Sequence, residues 1–160
     1  MKTLRCLLVA PLLVAVHVAV ACDSDHSANG PAAAEQTGQS CKTAAQCFPG
    51  LDAAAVHGAI TCMDRVPGGY CTHECATDAD CCAVPGECRT NLHQVCAPFE
   101  STGKMYCFLS CESTDITAGA KILHDAGTLD ENLFCEKLAN ASFMCRSTGG
   151  GKNNRKVCTP

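Results

Sequence analysis

The stretch Gly68-Gly69-Tyr70-Cys71-Thr72-His73-Glu74-Cys75-Ala76-Thr77-Asp78-Ala79-Asp80-Cys81-Cys82 closes one cysteine-framed unit and opens the next. Its second half, Cys75-Ala76-Thr77-Asp78-Ala79-Asp80-Cys81, repeats the pattern of Cys41-Lys42-Thr43-Ala44-Ala45-Gln46-Cys47, and Tyr70-Cys71-x3-Cys75 recurs as Tyr106-Cys107-x3-Cys111. Working outward, unit one has cysteines at 41, 47, 62 and 71, and unit two has them at 75, 81, 96 and 107, so the first three keep identical offsets of 6 and 21 residues. The fourth offset grows from 30 to 32 because the loop Met63 to Tyr70 is two residues shorter than Ala97 to Tyr106. Both loops carry glycine between apolar flanks, as a hairpin reversal needs. Short strands are expected near Ile60 to Met63, Gly69 to Thr72, Gln94 to Ala97 and Met105 to Leu109.

A third, degraded unit begins at Cys111, and Phe143-Met144-Cys145 through Val157-Cys158 echoes the hairpin across Gly149-Gly150-Gly151 and Asn153-Asn154. Its middle reads as helical. Asp115 to Gly127 has an N-cap candidate in Thr114 or Asp115, with Ile116, Ala120 and Leu123 on one face and a terminal glycine. Thr128-Leu129-Asp130-Glu131 has capping-box spacing ahead of a helix over about 129–139, whose apolar face is Leu129, Leu133, Phe134 and Leu138. The fold class is therefore small and disulfide-rich: short β-hairpins in a duplicated cysteine framework, with two short helices near the C-terminus.

The core available to such a domain is thin. From Cys41 to Pro160 the aromatic residues are Phe48, Tyr70, Phe99, Tyr106, Phe108, Phe134 and Phe143, and the 47% hydrophobic fraction of the 160-residue chain includes 16 cysteines and an apolar N-terminus. Small cores of this kind are supplemented by cross-links. The disulfide candidates are Cys41, Cys47, Cys62, Cys71, Cys75, Cys81, Cys82, Cys88, Cys96, Cys107, Cys111, Cys135, Cys145 and Cys158. Cys82 and Cys88 have no counterpart in unit one. The simplest arrangement pairs them with each other across Ala83-Val84-Pro85-Gly86-Glu87, where Pro-Gly suits the centre of a type II turn.

The N-terminus supplies an oxidising destination. Lys2 and Arg5 precede an apolar run from Cys6 to Val20, and Ala19-Val20-Ala21 is a small-residue cleavage site, so residues 1–21 read as a secretory signal. The run is shorter than the roughly 20 residues a spanning helix needs. Ala19-Val20-Ala21-Cys22 resembles the lipobox of bacterial lipoproteins, which implies acylation of Cys22. Parity agrees: with Cys6 removed, 15 of the cysteines remain, and lipidation of Cys22 leaves an even set. Residues 23–40, DSDHSANGPAAAEQTGQS, hold no large apolar side chain and read as a disordered tether. The domain plan is a signal at 1–21, a lipidated cysteine and tether at 22–40, and a disulfide-rich domain at 41–160 with units 41–74, 75–110 and 111–160.

The repeated Cys-x-Thr-Asp-Ala-Asp-Cys unit, here Cys75 to Cys81, resembles that of bacterial cysteine-rich lipoproteins over roughly residues 41–111. Cys75-x5-Cys81-Cys82-x5-Cys88 is similar, more loosely, to knottin and four-disulfide-core modules. Neither resemblance implies a ligand.

Chemistry-bearing clusters have plain structural explanations. Cys71, His73, Glu74 and Cys75 offer metal-ligand types, yet the chain has no Cys-x2-Cys, and oxidised sulfurs are not available as thiolates, so no metal and no cofactor are expected. Asp78 and Asp80, and the acids from Asp125 to Glu131, depart from the EF-hand ligand pattern and are explained by turns and caps. His57, His73, His93 and His124 read as solvated, and no hydrolase or metalloprotease motif frames them. Loss of Lys2 and Arg5 with the signal leaves ten basic residues against 16 acidic ones, so no nucleic-acid partner is expected. Arg146, Lys152, Arg155 and Lys156 form a local basic cluster that could face an anionic surface. These features point to a cell-envelope lipoprotein, membrane-anchored and facing the periplasm or the cell surface. Its module is non-enzymatic, binding or structural, with an envelope protein or polysaccharide as partner. The alternative is a secreted disulfide-rich inhibitor or toxin-like effector.

Overall fold

The computed structural model describes residues 35–99, 103–116, 129–149 and 151–160. Three antiparallel hairpins follow one another along the chain: β1 (Ile60–Cys62) with β2 (Cys71–His73), β3 (Gln94–Pro98) with β4 (Met105–Leu109), and β5 (Met144–Ser147) with β6 (Lys156–Thr159). In each, two cysteines sit opposite one another, at Cys62↔Cys71, Cys96↔Cys107 and Cys145↔Cys158. These opposed cysteines do not bond to each other. Each bonds back to the segment before its hairpin, giving Cys41–Cys62 and Cys47–Cys71, Cys75–Cys96 and Cys81–Cys107, then Cys111–Cys145 and Cys135–Cys158. All three units share this first-to-third, second-to-fourth connectivity. Cys82–Cys88 is the seventh bond and closes the loop inside unit two. Disulfides in this number belong to a protein of an oxidising, exported environment.

The Cys-x-Thr pattern has a local cause. In unit one, Gln46 Oε1 accepts the Lys42 and Thr43 N–H groups at 2.6 and 3.3 Å, which closes the short 3-10 turn Ala44–Gln46. In unit two, Asp80 Oδ2 accepts Ala76 and Thr77 N–H at 2.9 and 2.8 Å around Asp78–Asp80. The side chain just before the second cysteine therefore satisfies amides that the turn leaves orphaned. Asp78 then supplies a further cap, its Oδ1 accepting Cys96 N–H on β3 at 2.8 Å.

Successive units join in the same way. Across the first joint Glu74 bridges Tyr106, Cys75 N–H donates to the Met105 carbonyl at 3.1 Å, and Glu74 N–H donates to Ala59 at 3.0 Å. Across the second, Ser110 bridges Val157, Cys111 N–H donates to Lys156 at 3.0 Å, and Ser110 N–H donates to His93 at 2.9 Å. The chain leaving one hairpin thus lies along the outer edge of the second strand of the next. Tyr70, Val95, Phe108, Leu109, Phe134, Phe143 and Val157 form a core shared by all three units, while the stacked disulfides of units one and two form small cores of their own.

Two expectations are revised, and a third lies mostly outside the described residues. The packed region begins before Cys41: Glu35, Gln36 and Thr37 are buried, so residues 35–40 are not a tether. Their burial is polar, which a scan for apolar side chains does not register. The expected helix over 129–139 is a turn of α-helix, α1 (Glu131–Phe134), running into a π-helical segment, Cys135–Ala139. Its N-cap is Asp130, whose Oδ1 accepts Leu133 N–H at 2.8 Å. The expected helix from Asp115 to Gly127 falls mostly outside the described residues; of it Asp115 and Ile116 are described, and their N–H groups donate to the Glu112 carbonyl at 2.9 and 3.2 Å.

Candidate functional site

All fourteen cysteines from Cys41 to Cys158 are in disulfides, while Cys22 lies outside the described residues. Sulfurs of Cys41, Cys47 and Cys71, of Cys75, Cys81 and Cys107, and of Cys111, Cys135 and Cys145 lie within 4.8 Å of one another because the two cross-links of each unit stack. Bonded sulfur is a poor metal ligand. Cys71 and Cys75, adjacent to His73 in sequence, are bonded to Cys47 and Cys96, so that cluster does not converge on one point.

His73 is not solvated but completely buried, a correction to its expected surface position. Its Nδ1 faces the carbonyls of His57 at 2.7 Å and Glu74 at 3.0 Å, and its Nε2 meets Glu87 Oε1 at 2.8 Å. Carbonyls only accept, so Nδ1 carries a proton, and a second proton is held between Nε2 and the carboxyl. Glu87 is equally buried. Its Oε1 also accepts Cys82 N–H at 2.8 Å and its Oε2 accepts Val84 N–H at 3.0 Å, inside the loop that Cys82–Cys88 closes. Pro85-Gly86 lies at the centre of that turn, with Glu87 N–H on the Val84 carbonyl at 3.0 Å and Gly86 at φ 86°. The pair fastens unit two's small loop to unit one's hairpin.

The basic cluster is largely internally neutralised. Arg155 reaches Asp78, Glu112 and Asp115 at 3.2, 3.1 and 3.0 Å, and Lys156 Nζ meets Glu131 at 2.6 Å. Desolvation lowers the guanidinium's proton affinity, but hydrogen bonds and charge from Asp78 and Glu112 outweigh it, and the net shift is upward. Among the described residues, Arg146 and Lys152 are the members of the cluster that are exposed and without a carboxylate partner.

Two of the surface hollows beside unit one differ in character. One, of about 480 Å³, is wide open and lined by His57, Gly58, Glu74, Cys75, Ala76 and Asp80. His57 Nδ1 meets Asp80 Oδ1 at 3.2 Å there. The N–H groups of Ala76 and Thr77, then His57, hold the Asp80 carboxyl down at about 2. The Thr77 hydroxyl donates to the Asp80 carboxylate at 3.3 Å. The other hollow, about 390 Å³, is apolar, with Phe48, Pro49, Leu51 and Ile60 in its walls.

The best-formed polar site is one that sequence reasoning missed. Glu35, 2% exposed, is held by amides: Oε1 accepts Arg89 N–H at 2.8 Å, and Oε2 accepts Thr90 N–H at 2.9 Å and the Thr90 hydroxyl at 2.7 Å. Gln36 Nε2 donates to the Gly86 carbonyl at 2.7 Å and the Thr37 hydroxyl to Gln94 Oε1 at 2.9 Å. A carboxylate bound by backbone donors is an anion nest. No signal in the sequence links Glu35 to residues more than fifty positions away. No protein-family model, curated protein or solved structure matches the chain.

Proposed function

We propose that the chain is an exported lipoprotein of the cell envelope, anchored through an acylated Cys22, whose cysteine-rich domain is a non-enzymatic binding or structural module. The observation that carries this reading is the closure of the cysteine set. All fourteen cysteines beyond Cys22 have partners among themselves, so once the leader carrying Cys6 is removed Cys22 is the sole sulfur left for acylation. Twelve residues separate Cys22 from Glu35, a link that reaches at most about 40 Å and holds the domain close to the membrane.

The matched connectivity of the three units and the matched hydrogen bonds at their two joints support descent by internal duplication. The third unit diverged by exchanging its central turn for α1 and the segment after it. Repeat arrays of this build present side chains on a fixed frame, which suits recognition. Arg146 and Lys152 favour an anionic envelope polysaccharide as one partner.

Fatty-acid labelling of the wild type and of Cys22→Ala tests the anchorage. Label on the wild type alone is the expected result. Equal labelling of both, or an unlabelled wild-type protein in the culture supernatant, overturns it and favours the secreted inhibitor or effector.

A further inference from the structure

The segment from Glu35 to Ser40 occupies on hairpin one the place that another unit's outgoing chain takes on hairpins two and three. On β4 that place is filled by Glu74 and Cys75, and on β6 by Ser110 and Cys111. On β2 it is filled by the N-terminal segment, with Cys71 N–H donating to Gln39 and Gly38 N–H to Cys71, both at 2.8 Å. The segment is a strand ligand seated in a strand slot.

The slot is built to recognise what it holds. The amide nest at Arg89 and Thr90 takes an acidic side chain. Three residues on, Gly38 lies against a platform made by the stacked rings of Tyr70 and Phe143, whose centroids are 5.7 Å apart. A Cβ at position 38 would stand 3.1 Å from Phe143 and 3.3 Å from Tyr70, and φ there is +89°, a region L side chains rarely adopt. Donors and platform sit on fixed supports: Arg89 and Thr90 follow Cys88, Gly86 belongs to the Pro-Gly turn, and Gln94 is in β3.

The occupant's side chains are held by polar contacts rather than apolar ones. Glu35, Gln36, Thr37, Gly38, Gln39 and Ser40 bring no apolar side chain, so no hydrophobic burial locks them in. Their hydrogen bonds replace bonds to water, and Gln36 Oε1 is buried with no partner. We infer that the slot formed by β2, the Arg89-Thr90 amides and the Tyr70-Phe143 platform is a peptide-binding groove for an extended segment carrying an acidic residue three positions before a glycine. The chain's own residues 35–40 occupy it in the resting state and must leave before a partner strand enters. Strand addition at a sheet edge, with a side-chain pocket for specificity, is an established mode of peptide recognition. The inference does not depend on acylation of Cys22 and is tested on protein without lipid.

The test uses the oxidised chain from residue 22 to 160 with Cys22→Ser, alone and with Glu35→Lys or Gly38→Val, two changes that expel the segment for different reasons. The probe is a fluorescein-labelled peptide of sequence Ala32 to Ser40. Both variants, with seven native disulfides verified by peptide mapping, should bind it at least tenfold more tightly than the parent chain does, and a peptide with Lys in place of Glu35 should bind at least tenfold more weakly. No binding by either variant, or equal binding by parent and variants, overturns the inference. In the unmutated chain, where folding is not in question, the Arg89 and Thr90 amides should exchange with solvent deuterium at least tenfold faster than those of the β3–β4 hairpin. Equal protection overturns it as well.

Discussion

Replacing Glu87 by alanine should be among the most damaging single changes that leave every disulfide in place. The carboxyl group is fully buried and makes three hydrogen bonds, to Cys82 N–H, Val84 N–H and His73 Nε2. Two of those donors are recoverable, because Cys82 is exposed and Val84 half-buried and water can reach their amides. His73 is not, being 0% exposed. An unsatisfied buried group costs about 1–3 kcal/mol, and breaking a buried ion pair about 3–5 kcal/mol. With partial rescue at the two amides, the expected loss is about 3 kcal/mol. For a domain of this size that is roughly 10–15 °C in Tm. Thermal unfolding followed by circular dichroism, under non-reducing conditions, measures it. The cycle with His73→Ala separates the pair's coupling from simple loss of packing: a coupling energy of at least ~1.5 kcal/mol is expected for partners in direct contact. A loss below about 1 kcal/mol for Glu87→Ala, or purely additive losses in the cycle, would refute the view that this pair fastens unit two to unit one.

Removing the Cys82–Cys88 bond by changing both residues to serine should cost only roughly 2–2.5 kcal/mol, since the loop it closes is short, and should leave the other six bonds native. Peptide mapping of the double variant checks this; scrambling among the remaining cysteines contradicts it. Arg155→Met should cost about 1–2 kcal/mol, because it removes three partly shielded ion pairs and leaves Asp78, Glu112 and Asp115 facing one another. The wild-type advantage should shrink as salt is raised toward 1 M in a denaturant series, and a salt-independent difference would assign the effect to packing instead.

The hairpins were legible in the chain because their signals are local: paired cysteines, glycine-bearing reversals and apolar flanks within a dozen residues. The Gly69 reversal shows why the residue type is demanded, since a Cβ there would fall 2.0 Å from the Cys41 carbonyl oxygen at φ +75°. What escaped the sequence was burial carried by polar groups. His73 reads as solvated, yet it is buried together with Cys71 and Thr72 along the whole of β2. Glu35 and Glu87 look like solubilising acids until the amides that satisfy them are brought up from distant segments. The basic cluster is partly paired over long range in the same way: Arg155 and Lys156 face acids from Asp78 to Glu131, which a local count of charge does not see.

The positions of the cross-links divide the labour of holding the domain together. Among the described residues all seven disulfides close within a single unit, and none crosses from 41–74 to 75–110 or from there to 111–160. Each cross-link restricts the unfolded chain and so stabilises the unit it closes, but none fixes how the units sit against one another. That task falls to the shared apolar core, the strand-like bridges at Glu74 and Ser110, and buried or shielded polar nodes that each span a joint. Glu87 with His73 joins units two and one, Asp78 with Arg155 joins units two and three, and Glu35 joins the N-terminal segment to unit two. Thinness of the apolar core makes these nodes count for more here than in a larger domain, because apolar burial alone leaves relative placement under-specified and directional hydrogen bonds restrict it. Changes at the nodes should therefore loosen one unit from the next while leaving each unit's covalent frame intact. Loss of a disulfide acts in the opposite sense, unravelling one unit from within.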